Sequence, residues 1–285
     1  MRILVTGATG FVGRAVVAQL LDRGVTVRAL TRRPERADLP ADVEVVRGDL
    51  TEPDMLGPAL RDVDRMYLFP VEETAAAVLA LARSAGVRRV VDLSAASVTV
   101  GLHHNPVEDA VEASGLEWTH VRPGGFMTNL LQLWAPMVRA ERVVRYPFGD
   151  ERANYIHEAD IAAVAVAALL ADGHHGGVYT LTGPAMVSTR EQVAAIGAAL
   201  GEPVRYEEVG RERARDILVA QGGFAAEAAD LMLGLVDYGG ETPDSGYADQ
   251  DWSALEKTWP DVERVTGRAP RTFAEWARDH VADFR

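Results

Sequence analysis

The chain has no cysteine and a single lysine, Lys257. The first absence excludes disulfides, thiol nucleophiles and thiolate metal sites, and it leaves the redox compartment open. The second all but excludes a lysine-dependent mechanism and makes nearly every positive charge an arginine. Positive charge is itself in the minority, with 29 Lys+Arg against 42 Asp+Glu and a formal net charge of -13. That balance argues against a nucleic-acid groove, which needs a basic stripe to displace counterions. No apolar run approaches the roughly 20 residues that span a bilayer. Met1-Arg2 runs straight into a strand pattern, so no membrane segment and no signal peptide are expected, and a cytoplasmic location is. Internal repeats and low-complexity linkers are missing too, which favours one compact unit.

What is present is organised around Arg2 to Gly13, RILVTGATGFVG. At 285 residues and 48% hydrophobic, the chain can bury a large core in one domain or two. Ile3, Leu4 and Val5 have the character of a buried parallel strand, and Phe11 to Leu21 shift to helical periodicity until Gly24. Gly7, Gly10 and Gly13 therefore sit on a strand-to-helix turn. Gly7 suits the tight turn, Gly10 lets a diphosphate approach the main chain, and Gly13 lets the helix pack on the sheet. Gly7, Thr9, Gly10, Phe11 and Val12 are the expected cradle, with free amides at the helix start facing the anion.

Beyond the second strand pattern, Val25 to Leu30, come Arg32 and Arg33. An acidic side chain at this place bonds the ribose hydroxyls of NAD, whereas arginine accommodates a 2'-phosphate. The nearest acid is Glu35, past Pro34. The pattern points to NADP(H), with Arg32 the main phosphate ligand and Arg33 assisting; a solvated arginine loop is the alternative. Val43 to Arg47 reads as a third strand, after which Asp49 and Leu50 are placed to meet an adenine. A helix is expected from Thr51 or Glu52 to Leu60, and a fourth strand from Arg65 to Phe69. Its end, Phe69-Pro70-Val71, would border the cofactor crevice. A helix over Thr74 to Ser84 and a fifth strand over Arg88 to Leu93 follow, ending at Ser94. Strands alternating with helices of about a dozen residues mean an α/β chain with a parallel, doubly wound sheet.

After Val121-Arg122-Pro123 the chain turns through Gly124 and Gly125 to Phe126, a flat apolar wall, and Asn129. Leu130, Leu131, Leu133, Trp134, Met137 and Val138 make an apolar helix face, read either as core or as a substrate wall. Tyr155 and His157 precede an alanine-rich helix, Ala159 to Ala171, with Asp160 fixing its start. His174 and His175 lie in a glycine loop without a carboxylate cluster, so they read as surface and no metal is expected. From Ser188 the pattern becomes helices with short strands: Thr189 to Leu200, Val204 to Tyr206, and Arg211 to Gln221. Phe224 to Val236 is an amphipathic helix whose Phe224, Leu231, Met232 and Leu235 are placed to close over the site. Asp237 to Asp251 reads as a lid or a solvated loop, and Thr272 to His280 as a surface helix docked through Phe273 and Trp276.

TGATGFVG at the start, GDL at 48 to 50, the run from Ser114 to Asn129, YIHEADIA from Tyr155, and VYTLTGP from Val178 together resemble the short-chain dehydrogenase/reductase superfamily. The chain is most similar to its NmrA-like branch, which includes NAD(P)H-dependent quinone and azo reductases. The resemblance implies an NADP-binding Rossmann domain over 1–155 and a smaller, mostly helical substrate lobe over 156–285, with 156–182 returning to the sheet. It also implies that Pro123, Gly124, Gly125 and Phe126 pass under the nicotinamide, beside Ser94. Most of the superfamily uses a Tyr-x-x-x-Lys pair, and here it is missing. Between Ala95 and Asn129 there is no tyrosine and no lysine; His104 falls where that lysine would sit and Val100 where the tyrosine would.

Without that acid, hydride from a reduced nicotinamide suits a quinone, azo group or enone that delocalises the incoming charge. His104 is the first candidate proton source, since imidazole titrates near neutrality, although a solvent-facing histidine pair fits as well. Ser94 is a candidate to bond a substrate carbonyl and Tyr155 to point into the site. Phe126, Asn129, Trp134 and Met232 are the expected substrate contacts. The expected partner is an aromatic or conjugated small molecule, bound by a monomer or homodimer. A dinucleotide-binding redox sensor and a tailoring reductase, dehydratase or epimerase are the alternatives.

Overall fold

The computed structural model describes residues 1–236 and 257–285, so the stretch 237–251, read above as a lid or a solvated loop, lies outside the described residues. In chain order the elements begin β1 (Arg2–Val5), α1 (Phe11–Asp22), β2 (Thr26–Thr31), β3 (Glu44–Arg47), α2 (Gly57–Leu60) and β4 (Arg65–Leu68). Next come α3 (Ala75–Ser84), β5 (Arg89–Leu93), α4 (Ala96–Thr99), α5 (Pro106–Ala113), β6 (Glu117–Pro123), α6 (Met127–Glu141), β7 (Val143–Tyr146) and β8 (Arg152–Ala153). The remainder is α7 (Glu158–Leu170), β9 (Gly177–Leu181), β10 (Val187–Ser188), α8 (Thr189–Leu200), β11 (Arg205–Glu208), α9 (Arg211–Gln221), α10 (Gly223–Met232), α11 (Asp261–Thr266) and α12 (Phe273–Asp279).

These elements gather into two compact units. The first comprises Met1–Gly124, Glu158–Leu181 and Trp259–Ala269. It holds a seven-stranded sheet in the order β3-β2-β1-β4-β5-β6-β9, and all of its pairings are parallel. This is the doubly wound α/β arrangement that alternating strands and helices dictate. The order runs outward from β1 to β3, then resumes on the other side with β4, so the switch point lies between β1 and β4. Ligands of such sheets bind outside the carboxyl ends of the strands at that point. Helix α7 is apolar on nearly every side and buried almost throughout; it packs beside α1, where Gln19 Nε2 donates to the Ala159 carbonyl at 2.8 Å.

Two arginines are buried at strand positions of this sheet. Arg28 in β2 donates to the carbonyls of Ala59 (2.9 Å) and Arg61 (2.5 Å) at the end of α2. Arg89 in β5 donates to Ala168 and Ala171 at the end of α7 and pairs with Glu117 at 2.8 Å. A guanidinium fork suits such helix ends, whose last carbonyls have no partner in the helix.

The helix expected from Thr51 or Glu52 to Leu60 is split: Pro53–Leu56 form a 3₁₀ turn, and α-helix begins only at Gly57. Pro58 cannot donate to a carbonyl four residues back, so a continuous α-helix through it is blocked. Likewise α7 begins at Glu158, ahead of the expected start.

The second unit comprises Gly125–His157, Thr182–Thr258 and Pro270–Arg285. Its core is built by α6, whose Leu130, Leu133, Trp134 and Val138 meet Ile196, Leu218 and Trp276. Capping boxes start two of its helices, Ser188 with Glu191 at α8 and Thr272 with Glu275 at α12. Phe273 and Trp276 are buried, as the pattern of the last helix requires. Two short pairings were not foreseen: β7 with β11, parallel, and β8 with β10, antiparallel. The amphipathic helix ends at Met232, and Phe224, Met232 and Leu235 pack against the unit's own core. Burying that apolar stripe is what holds so short a helix in place.

Candidate active site

At the end of β1, Thr6 Oγ1 donates to the Tyr67 carbonyl at 3.0 Å and accepts from the Phe69 amide at 2.7 Å, clamping the end of β4 beside the glycine turn. Gly7 has φ +60, the left-handed region. At Gly13 a β-carbon would lie 2.1 Å from the Gly7 carbonyl oxygen, so only glycine lets the first turn of α1 sit against the loop. Gly10 is the helix N-cap and no side chain caps the amides that follow. Such a helix start is a ready site for an anion. The aromatic rings of Phe11 and Phe69 flank this turn, 42% and 44% exposed, and a β-carbon on Gly7 would touch the Phe69 ring at 3.1 Å.

Beyond β2, Arg32 and Arg33 are exposed and form no ion pair among the described residues. Glu35 is drawn instead toward Arg47, at 3.6 Å. Asp49 accepts from the Thr51 amide at 3.0 Å; that bond, helped by the positive charge of Arg32, holds its carboxyl below the ordinary range. Arg32 and Asp49 thus share one end of the sheet. Arg14 joins this end to the glycine turn, its guanidinium donating to the carbonyls of Thr9 (3.1 Å), Ala37 (2.7 Å) and Asp38 (2.5 Å). A dinucleotide with a 2'-phosphate fits these groups: uncapped amides for the diphosphate and unpaired guanidinium for the extra phosphate.

Ser94, at the end of β5, lies on a buried polar network that sequence reasoning missed. Its Oγ accepts from Asn105 Nδ2 at 2.9 Å and also bonds Glu108. Glu108 is gripped by Arg122 through both oxygens, at 2.8 and 2.6 Å, and Arg122 reaches on to Thr99 at 3.3 Å. Below it, His120 Nδ1 meets Asp92 Oδ1 at 2.7 Å and Nε2 meets the half-exposed Glu112 at 3.4 Å. Asp92 and His120 are fully buried, and Asp92 Oδ2 has no hydrogen-bond partner among the described residues.

Burial opposes charging of both partners. For Asp92 it wins and pushes the carboxyl up; for His120 the bond to Asp92 outweighs it and the imidazole is also held above its usual value. Burial likewise works against Glu108, but its bonds to Arg122 and Ser94 keep it low. Ligand atoms of Asp92, Glu108 and His120 lie within 4.8 Å of one another, yet Arg122 already supplies the compensating positive charge. The signal was the period-two spacing of Asp92 with Ser94 and of His120 with Arg122, opposite Glu108 and Glu112 one helical turn apart on α5.

His104 stands with its side chain 72% exposed, 2.8 Å from Asp109. His174 Nδ1 bonds the Tyr179 hydroxyl at 2.7 Å and His175 Nδ1 accepts from the Trp118 amide at 3.1 Å, both closing the loop before β9.

Within the second unit, Ile156 bonds Gly125 and Met127 bonds Ile156 through the main chain, strapping the turn at Gly125-Phe126 to the segment carrying Tyr155. The Tyr155 ring packs so closely on Gly125 that a β-carbon there would lie 2.6 Å from it. Tyr155 lines two cavities, an apolar one of about 250 Å³ with Met127, Val187 and Phe273, and one of about 430 Å³ with Tyr146, Phe148, Arg211 and Met232. Trp134 is instead 1% exposed in the core, edge-on to Tyr146. Asn129 donates its amide to the Phe126 carbonyl at 3.2 Å, in the first turn of α6.

The NmrA-like family profile matches residues 1–277, and the chain belongs to that family. It is 39% identical to the (4-alkanoyl-5-oxo-2,5-dihydrofuran-3-yl)methyl phosphate reductase of Streptomyces griseus subsp. griseus, with 99% of each chain covered. To the NAD(P)H azoreductase of Xenophilus azovorans it is 37% identical, again over 99% of both. Among solved structures, the NADPH-dependent quinone oxidoreductase of Escherichia coli aligns with a TM-score of 0.75 and 25% identity, covering 97% of this chain and 98% of that one. The Citrobacter sp. triphenylmethane reductase complexed with NADP(H) shares the fold at a TM-score of 0.76 and 21% identity, covering 99% and 100%.

Proposed function

We propose that the protein is an NADPH-dependent oxidoreductase that reduces a conjugated quinonoid, azo or enone small molecule by direct hydride transfer. The observation that carries this is the uncapped glycine turn tied by Arg14 to a loop whose Arg32 and Arg33 form no ion pair among the described residues, while Glu35 leans toward Arg47. The relatives named for reducing an azo compound and a dihydrofuranyl phosphate support an acceptor of this kind. Bound NADPH supplies the hydride. Gly7, Thr9, Gly10, Phe11 and Val12 hold the diphosphate, Arg32 and Arg33 the 2'-phosphate, and Asp49 and Leu50 the adenine. Phe69, Pro70, Val71, Ser94, Pro123, Gly124, Gly125 and Phe126 serve the nicotinamide half, and Phe126, Asn129 and Met232 the acceptor. Ser94 accepts from Asn105 and donates its one hydroxyl proton to Glu108, so it has none to give an acceptor carbonyl and serves only to shape the nicotinamide side; Tyr155 and the exposed His104 are the proton sources. With no tyrosine-lysine pair, the acceptor must delocalise charge, and orientation supplies most of the acceleration.

Steady consumption of NADPH with simple quinones or azo dyes tests this. Tight NADPH binding with no consumption across a broad acceptor panel would replace it with a redox sensor. Arg32→Ala is expected to weaken NADPH by about tenfold or more, the scale of losing a hydrogen bond to a charged group, and NADH by less than about twofold. Equal losses for the two nucleotides would show that the 2'-phosphate is held elsewhere.

A further inference from the structure

Five arginines of the second unit are paired with carboxylates: Arg142 with Glu202, Arg145 with Glu141 and Glu207, Arg152 with Glu191, Arg190 with Asp150 and Glu208, and Arg215 with Asp230. Arg211 is different. It lines the cavity of about 430 Å³, and no carboxylate oxygen among the described residues comes within salt-bridge distance of it. Its guanidinium lies 4.8 Å from the centroid of the Phe148 ring, and among the described residues its one hydrogen bond is a long one, 3.5 Å, to the Gly234 carbonyl. A cation parked on an aromatic face keeps its N–H donors available.

The platform beneath it is itself unusual. Phe148 holds φ 64, the left-handed region that a bulky residue rarely enters. Strain of that kind persists only where neighbours enforce it, and it gathers at ligand sites. Here the Glu151 amide donates to the Phe148 carbonyl at 3.2 Å and the ring stands edge-on to Tyr146. Tyr146 is fixed in turn by its hydroxyl bond to the Met232 carbonyl at 2.9 Å. Glu151, the one carboxylate lining the cavity, is pushed up by burial against the pull of Arg211, so it yields its charge more readily than an ordinary surface acid. Tyr155 and Ala153 line both this cavity and the apolar one, which adds room for an uncharged arm beside the charged end.

Given the reductase function proposed above, we infer that Arg211, braced on Phe148, is an anion subsite: the acceptor carries a carboxylate, sulfonate or phosphate, with its apolar part alongside Tyr155. A guanidinium recognises each of these groups through paired N–H donors.

Methyl red, a carboxylated azo dye, and its methyl ester share one chromophore and differ in that charge. In the parent protein the acid is expected to bind more tightly than the ester by equilibrium dialysis without nucleotide. Arg211→Ala should raise the acid's Kd at least about tenfold relative to the ester's, and Arg211→Lys should restore part of the preference. The same ratio should appear in KM when NADPH-driven dye reduction is followed, with unchanged NADPH affinity and melting temperature reporting an intact fold. A parent that binds acid and ester alike, or a loss in Arg211→Ala that is equal for both, overturns the subsite. If neither dye is reduced but the charge-dependent binding disappears in Arg211→Ala, the subsite stands and the reductase function falls.

Discussion

Gly13→Ala is expected to bind NADPH at least tenfold more weakly than the parent and to melt at a lower temperature. The added β-carbon would lie 2.1 Å from the Gly7 oxygen, 2.8 Å from the Gly7 carbonyl carbon and 2.9 Å from Ala8 Cα. All three are main-chain atoms, so no side chain can swing aside. The first turn of α1 must back away from the loop, taking its free amides with it. Overpacking of this sort costs about 1–3 kcal/mol, and because the displaced groups are the proposed anion donors, about 1.4 kcal/mol of it suffices for a tenfold loss of affinity. Gly210→Ala is the control: with φ -66 and ψ 158 a β-carbon there meets no neighbouring group within 4 Å, and its NADPH affinity should match the parent's. Titration by nucleotide fluorescence and a thermal melt read both effects. Parental affinity in Gly13→Ala would mean that the diphosphate does not lie on this turn.

His120→Leu should destabilise the protein by about 3–5 kcal/mol, the scale of stranding one member of a buried ion pair. Asp92 would be left fully buried, with both oxygens unpartnered. Replacing both residues, Asp92→Leu with His120→Leu, removes the stranded charge and should recover much of the loss. The pH dependence follows from the direction of the shifts. His120 is held above its ordinary value, its bond to Asp92 at 2.7 Å outweighing burial and favouring the protonated imidazole. The folded state therefore keeps that proton to higher pH than the unfolded chain. Its contribution is complete below the ordinary histidine pKa and is lost as pH rises through the raised folded value. The melting temperature should fall from neutral to mildly alkaline pH in the parent, and this slope should be absent from the double variant. An unchanged slope would place the titration elsewhere.

The parallel, doubly wound sheet was legible because β1 to β5 are short apolar runs broken by helices. Punctuation by Gly7, Gly24, Gly86 and Pro34 made their ends visible. Arg32 was singled out because cofactor choice is expected at a fixed distance beyond the glycines, and its side chain forms no ion pair among the described residues. The partners of Ser94 were not legible. Asn105, Glu108, His120 and Arg122 come from two later elements, and their meeting depends on β5 pairing with β6 in the register Asp92↔His120. A strand that hides charged groups looks, in sequence, like a strand with an exposed face. Trp134 shows the reverse ambiguity. An apolar stripe on α6 has the same pattern whether it faces a ligand or a core, and here the core took it. Met232 and Phe224 were visible as a stripe, while the surface that receives them was not.

Arg14 carries a consequence for anyone who would retune the nucleotide preference. By donating to Thr9 on one side and to Ala37 and Asp38 on the other, it ties the glycine turn proposed to grip the diphosphate and the loop proposed to discriminate the ribose into a single jaw. Swapping Arg32 and Arg33 for acids would leave that jaw aligned, whereas transplanting the whole stretch from Thr31 to Leu39 would release one side of it and loosen the hold on every pyridine nucleotide alike.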